Sequence, residues 1–173
     1  MQSKPPFKYY AGIGSRATPT NVKAKMTLIA RQLSKSSFCL RSGGAQGADE
    51  AFEKGAVQKQ IFLPWNGFNG RIVDNNQYAV PPENNSFVEK YHPNPKRLSD
   101  AGRKLMSRNS YQVLGPNLDD PVDFLICWTK DGKASGGTGQ AIRIANDYGI
   151  PVFNLKNGFE DFSQFICMQL LLN

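Results

Sequence analysis

Apolar residues recur along the chain in two rhythms, short unbroken runs and helical stripes, and the two alternate. Lys8 to Ile13 (KYYAGI) is aromatic and branched and ends in Gly-x-Gly, which predicts a strand running into a loop. From Thr20 to Ser34, Val22, Met26, Ile29, Ala30 and Leu33 fall at helical spacing, with Pro19 and a Thr18 or Thr20 cap at the entrance. Phe38 to Arg41 predicts a second strand, and Ala45 to Gln58 a helix with Ala48, Ala51, Phe52 and Ala56 inward. Gln60 to Leu63 reads as a third strand. Over Lys96 to Asn109, Leu98, Ala101 and Leu105 form one stripe and Arg97, Lys104 and Arg108 another face, ahead of a short strand YQVL at Tyr111. Val122 to Trp128 (VDFLICW) is nearly all apolar, as a strand buried on both faces requires. A helix from about Gln140 to Tyr148, capped by Gly149, precedes a strand over Ile150 to Leu155. A closing helix from Glu160 to Leu172 would pack Phe162, Phe165, Ile166, Cys167 and Leu170 on the sheet. Strands alternating with helices predict an α/β fold, a doubly wound and mostly parallel sheet with helices on both faces.

One segment breaks the rhythm. Trp65 to Pro95 is rich in Asn, Pro and Gly and shows no sustained period, so residues 1–173 read as a single domain with a loop-rich insertion at about 65–95. Such an insertion covers a ligand or is a plain excursion.

Composition narrows the classes. With 40% hydrophobic and 20% charged residues, the chain is of ordinary globular type. No apolar run approaches the roughly 18 to 20 residues of a membrane span, and the polar, proline-containing MQSKPPFKYY is no secretory core. Cys39, Cys127 and Cys167 are odd in number and set in apolar surroundings, which fits reduced, buried thiols and a cytoplasmic location. A single His92 argues against His-based metal or triad chemistry, and no metal or required cofactor is expected. The net charge of +7 favours phosphorylated ligands or nucleic acid, or serves solubility alone.

Three strand ends carry glycine-rich loops that lead into helices: AGIGSRATP, RSGGAQGAD and ASGGTGQA. Glycine permits close approach, and the first amides of a helix are unpaired donors at the positive end of its dipole, so phosphate is the natural guest. Gly12, Gly14 and Ala17 match G-x-G-x-x-A, but the second strand ends in Arg41 and Ser42 rather than the acid that holds ribose hydroxyls, which weakens a hydride-transfer reading. No loop ends in Gly-Lys-Ser/Thr, so a P-loop is excluded.

IGSRATP, LRSGGAQGADEAF and the late FLICWTKDG…GGTGQAIRIA…GIPVFNL together resemble the Rossmann-like nucleotide-binding superfamily called SLOG, over most of the chain outside Trp65 to Pro95. That superfamily joins the DNA-processing protein A (Smf) family with the Lonely Guy phosphoribohydrolases, and the first two motifs are closest to the DNA-processing branch. The resemblance implies a Rossmann-like fold and assigns Gly14, Ser15 and Arg16 to a first phosphate loop, with Arg16 as a forked cation. It assigns Ser42, Gly43, Gly44, Ala45 and Gly47 to a second loop whose amides face an anion. Gly136, Gly137, Thr138 and Gly139 correspond to the late G-G-T loop. Asp49 matches the acid of the second motif, with bracing of the loop favoured over catalysis. Trp128, Trp65 and Phe68 lie where a ring can stack on a base, although Trp128 fits the core equally well. Asp131 could accept from a ribose, and Arg108 and Asn109 are further candidates.

Three functional readings stay open. The leading one is a protein that holds a phosphorylated nucleotide or nucleotide-derived signal, such as an ADP-ribose-like molecule. The second is single-stranded DNA binding through Arg97, Lys104 and Arg108, with Tyr91, His92 and Tyr111 as stacking groups. The third is N-glycosidic hydrolysis of nucleoside monophosphates, for which the resemblance wants a Glu where Arg143 stands. A homo-oligomer is compatible with the apolar FSQFICMQLLL.

Overall fold

The computed structural model describes residues 8–75, 77–81 and 86–171. Its sheet contains strands β1 (Lys8–Gly14), β2 (Phe38–Ser42), β3 (Lys59–Leu63), β4 (Gln77–Ala79), β5 (Phe124–Trp128) and β6 (Val152–Asn154), all parallel. Their order is β4-β3-β2-β1-β5-β6. The chain lays strands outward from β1 and then returns to place β5 on its other side. The crevice where the order reverses therefore lies between β1 and β5.

Side-chain alternation divides the core. Tyr10, Phe124, Ile126 and Trp128 point to the face covered by α1 (Thr20–Lys35), α2 (Ala48–Gly55) and α6 (Glu160–Leu171). Ala11, Ile13, Leu125 and Cys127 point to the face covered by α3 (Ser86–Tyr91), α4 (Asp100–Leu114) and α5 (Thr138–Asp147). Every residue of β5 is buried, as its unbroken apolar run requires. Burying Phe124, with stacked or edge contacts to Tyr10, Phe38 and Phe153, contributes about 2–3 kcal/mol. Among the described residues no helix is long and apolar enough to cross a membrane.

Four local expectations change. Helix α4 runs on through Leu114, so YQVL is helix and not strand; Tyr111, Val113 and Leu114 are buried, and packing overrides their strand preference. Helix α2 starts at Ala48 rather than Ala45, which lengthens the loop before it. Thr18 is no cap: its hydroxyl donates to Ser15 O at 2.6 Å, and the N-cap position is Pro19. In α6, Phe162 is buried and Phe165 and Ile166 are partly buried, but Cys167 and Leu170 are exposed. Cys39 and Cys127 are buried free thiols, whereas Cys167 contradicts the expectation of three buried ones.

The insertion is partly regular. A short 3-10 turn at Phe68–Gly70 is followed by β4, which extends the sheet edge, and by α3. Part of the 65–95 segment, at 76 and 82–85, lies outside the described residues.

Candidate functional site

A cavity of about 420 Å³ opens at the carboxyl ends of β1 and β5. All three glycine-rich loops reach it. Gly14, Ser15 and Arg16 form one wall, Ala45 and Asp49 the second, and Ser135, Gly136, Gly137 and Thr138 the third. Helix α4 closes the fourth side with Leu105, Met106, Arg108 and Asn109, and Ile13, Thr129 and Lys130 complete the lining.

The first loop holds itself. Ser15 N donates to Trp128 O at 3.2 Å across β1 and β5, and Ser15 Oγ accepts from Ala17 N at 3.0 Å. Arg16 is exposed and has no ion pair among the described residues. Gly47, at φ +90°, packs so closely that a Cβ there would sit 2.7 Å from Arg16 Cα, so the first two loops touch through backbone.

The second loop differs from the expectation that its amides face an anion. Gly43 N and Ala45 N both donate to Asp49 Oδ2, at 3.2 and 3.3 Å. Gly44 N donates to Glu53 Oε1 at 3.1 Å, and the Ser42 hydroxyl to the same oxygen at 2.7 Å. Two buried carboxylates from α2 thus occupy the donors that a ligand would have used. Ser42, Gly43, Gly44 and Gly47 do not line the cavity; they build its wall.

Glu53 is also tied to the insertion, its Oε2 lying 2.6 Å from Arg71 Nη2. Asn69 Nδ2 donates to Gly44 O at 3.1 Å, and Phe68 lies beneath the Arg108 guanidinium at 5.7 Å. Arg108 is 6% exposed, donates Nη1 to Gly43 O and sends Nε to Asn109 Oδ1 at 3.0 Å. Burial lowers its pKa, while Asp49 and Glu53 pull the other way. Burial pushes the Asp49 carboxyl up to about 7, with Arg108 opposing and Glu53 adding to the shift.

The third loop keeps donors in reserve. Helix α5 starts at Thr138, two residues earlier than expected, so Gly136, Gly137 and Thr138 occupy its entrance. Their amides donate to no acceptor among the described residues, as the first turn of a helix leaves them. Asn109 Nδ2 donates to Gly137 O at 2.8 Å and fixes this loop to α4. Asp131 braces it from below: Oδ1 accepts from Lys133 N at 3.0 Å and from the Ser135 hydroxyl at 2.6 Å, and these bonds lower its pKa. Asp131 therefore stands outside the cavity, as does Gly139, whose amide returns to Ser135 O at 2.9 Å.

Several sequence candidates are corrected by burial. Trp128 is a core residue, and Trp65 packs edge-on against Phe68 at 5.2 Å; neither ring lines the cavity. Arg97 and Lys104 are exposed but Arg108 is buried, so the three share no surface. Tyr91 is buried with its hydroxyl on Asp147, and Tyr111 packs with Phe62 and Val80. Arg143, standing where the glycosidase motif wants Glu, donates to Tyr91 O and Ala134 O as a structural tie. Lys130 and Met106 were missed; nothing local marks them, since one follows a strand and the other sits mid-helix.

No protein-family model matches the sequence, and no curated protein matches it at a significant level. Among solved structures, DNA processing protein A from Helicobacter pylori, described for its single-stranded DNA binding mode, aligns with a TM-score of 0.56 at 19% identity, over 92% of this chain and 74% of that one. DNA processing protein A from Streptococcus pneumoniae aligns with a TM-score of 0.50 at 18% identity, over 86% of this chain. This chain spans 50% of the length of the pneumococcal protein. The resemblance read from the motifs thus extends to a shared Rossmann-like α/β fold.

Proposed function

We propose that the chain binds a phosphorylated nucleotide, or a small molecule derived from one, in the cavity between β1 and β5. The observation that carries this reading is the meeting of two glycine-rich loops and their cations on one cavity: Arg16 on one wall, Lys130 on another, and the amides of Gly136 to Thr138 between them. Helix entrances and unpaired guanidinium groups both favour an anion. The apolar side formed by Ile13, Leu105 and Met106 offers a base a surface to lie on.

In this reading Arg16 and Lys130 take the phosphate charge, the third-loop amides take its oxygens, and the second loop serves as a rigid wall. The test is isothermal titration calorimetry of the purified protein against adenosine monophosphate, guanosine monophosphate and ADP-ribose. Binding of at least one, weakened in Arg16→Ala, supports the reading; failure of the whole panel, with no nucleotide released from freshly purified protein by mass spectrometry, removes it.

A second reading is single-stranded nucleic acid, favoured by the net charge of +7, the exposed Arg16 and Lys130, and the fold shared with a protein described as binding single-stranded DNA. An anisotropy titration with labelled oligo-dT at two salt concentrations separates the two. Binding that falls steeply with salt, and that mononucleotides do not displace, favours the strand.

A further inference from the structure

The proposed anion site contains an acid. Asp49 lines the cavity and is 2% exposed, yet among the described residues it has no ion pair: its Oδ2 accepts two amides, and Arg108 sends Nη1 to Gly43 O and Nε to Asn109. A carboxylate held this way beside an anionic guest is a charge conflict that the protein must resolve.

The charged groups around Asp49 are few. Glu53 faces it from its own helix and is itself engaged by Arg71 at 2.6 Å. Arg108 faces it from α4, and Arg16 from the first loop acts on Arg108. Lys130 shares the cavity from the end of β5. Burial dominates this balance, and the carboxyl titrates at about 7 before any ligand arrives.

We propose that Asp49 enters the complex as the neutral acid, so that binding an anion in this cavity takes up one proton. The proposal rests on the anion-site reading above. A second negative charge in the same cavity raises the free energy of the carboxylate and leaves that of the acid nearly unchanged. The acid also brings an O–H donor that a ligand oxygen can accept, which the carboxylate lacks. Proton and ligand then favour one another reciprocally.

The probe is ADP-ribose, whose diphosphate diester and ribose carry no group that titrates near neutral pH. Calorimetry at about pH 8 in two buffers of different ionisation enthalpy should report uptake of close to one proton, falling toward none near pH 6. Affinity should rise roughly thirtyfold between about pH 8.5 and about pH 6. Asp49→Asn keeps an oxygen for the two amides and removes the charge; it should bind at pH 8 as tightly as the natural protein binds at pH 6, with no proton uptake. Should this variant fail to fold, the two-buffer measurement on the natural protein decides alone. ADP-ribose that binds with flat affinity and no uptake overturns the proposal and leaves the anion site standing, as does an Asp49→Asn variant that folds but loses affinity. No binding at either pH overturns both.

Discussion

The second and third loops, SGGAQG and SGGTG, look alike as text and do opposite things. In the second, three amides and a hydroxyl are taken by Asp49 and Glu53. In the third, the acid is Asp131, which binds the loop from outside and leaves the entrance of α5 unengaged. The difference lies in where the nearest carboxylate falls. Asp49 and Glu53 follow their glycines on the first turns of α2 and fold back over the loop; Asp131 precedes its glycines and sits on the solvent side. A glycine-rich loop is thus an anion site only when the protein leaves its donors unspent.

The largest expected effect breaks the closed loop. Glu53→Ala removes the acceptor of Gly44 N and Ser42 and strands Arg71, so it should cost about 3–5 kcal/mol in urea unfolding. An equal loss from Asp131→Ala would erase the distinction between the loops, because that exposed brace should change stability within about 0.5 kcal/mol.

A pH titration sharpens it next. Asp49 has a folded pKa of about 7, above its ordinary 3.8, so the folded state holds the extra proton. Its contribution is fully present below pH 3.8 and is lost as pH rises through 7. The stability difference between the natural protein and Asp49→Asn should therefore shift by roughly 2–4 kcal/mol across that window, in favour of the variant at high pH. Parallel stability curves would show that the carboxyl ionises normally.

On the ligand side, Arg16→Ala should weaken nucleotide binding by about 1.5–3 kcal/mol while leaving the unfolding midpoint in place. Calorimetry and thermal unfolding of the same sample check both halves. The smallest effect on binding is at Asn109, whose amide nitrogen fixes Gly137 O and whose oxygen holds Arg108 Nε: Asn109→Ala should weaken binding by about 1 kcal/mol by loosening the third loop and that guanidinium. Unchanged affinity would mean that the third loop needs no support from α4.

Much of the fold was legible because strand and helix periods differ, and because β5 must be apolar on both faces to lie inside a parallel sheet. Where burial surrounds an element, that signal fails. The last eight residues of α4, from Ser107 to Leu114, are all buried although five of them are polar, so polarity there marks no solvent face and the helical period is hidden. For the same reason Arg108 read as surface charge although it lies under Gly43 and over Phe68.

The sequence by itself determined that glycine-rich turns would stand at strand ends before helices, because only glycine accepts those backbone angles and close contacts. It also determined a parallel sheet with helices on both faces, since strands that alternate with helices are joined by crossover connections; the order of the strands came from the structure. Tertiary structure alone decided which loop donors stay available, whether Trp128 faces a ligand or the core, and which cations reach the cavity. Those outcomes depend on side chains meeting across long sequence separations, such as Arg71 with Glu53 and Asn109 with Gly137, and no local pattern encodes such meetings.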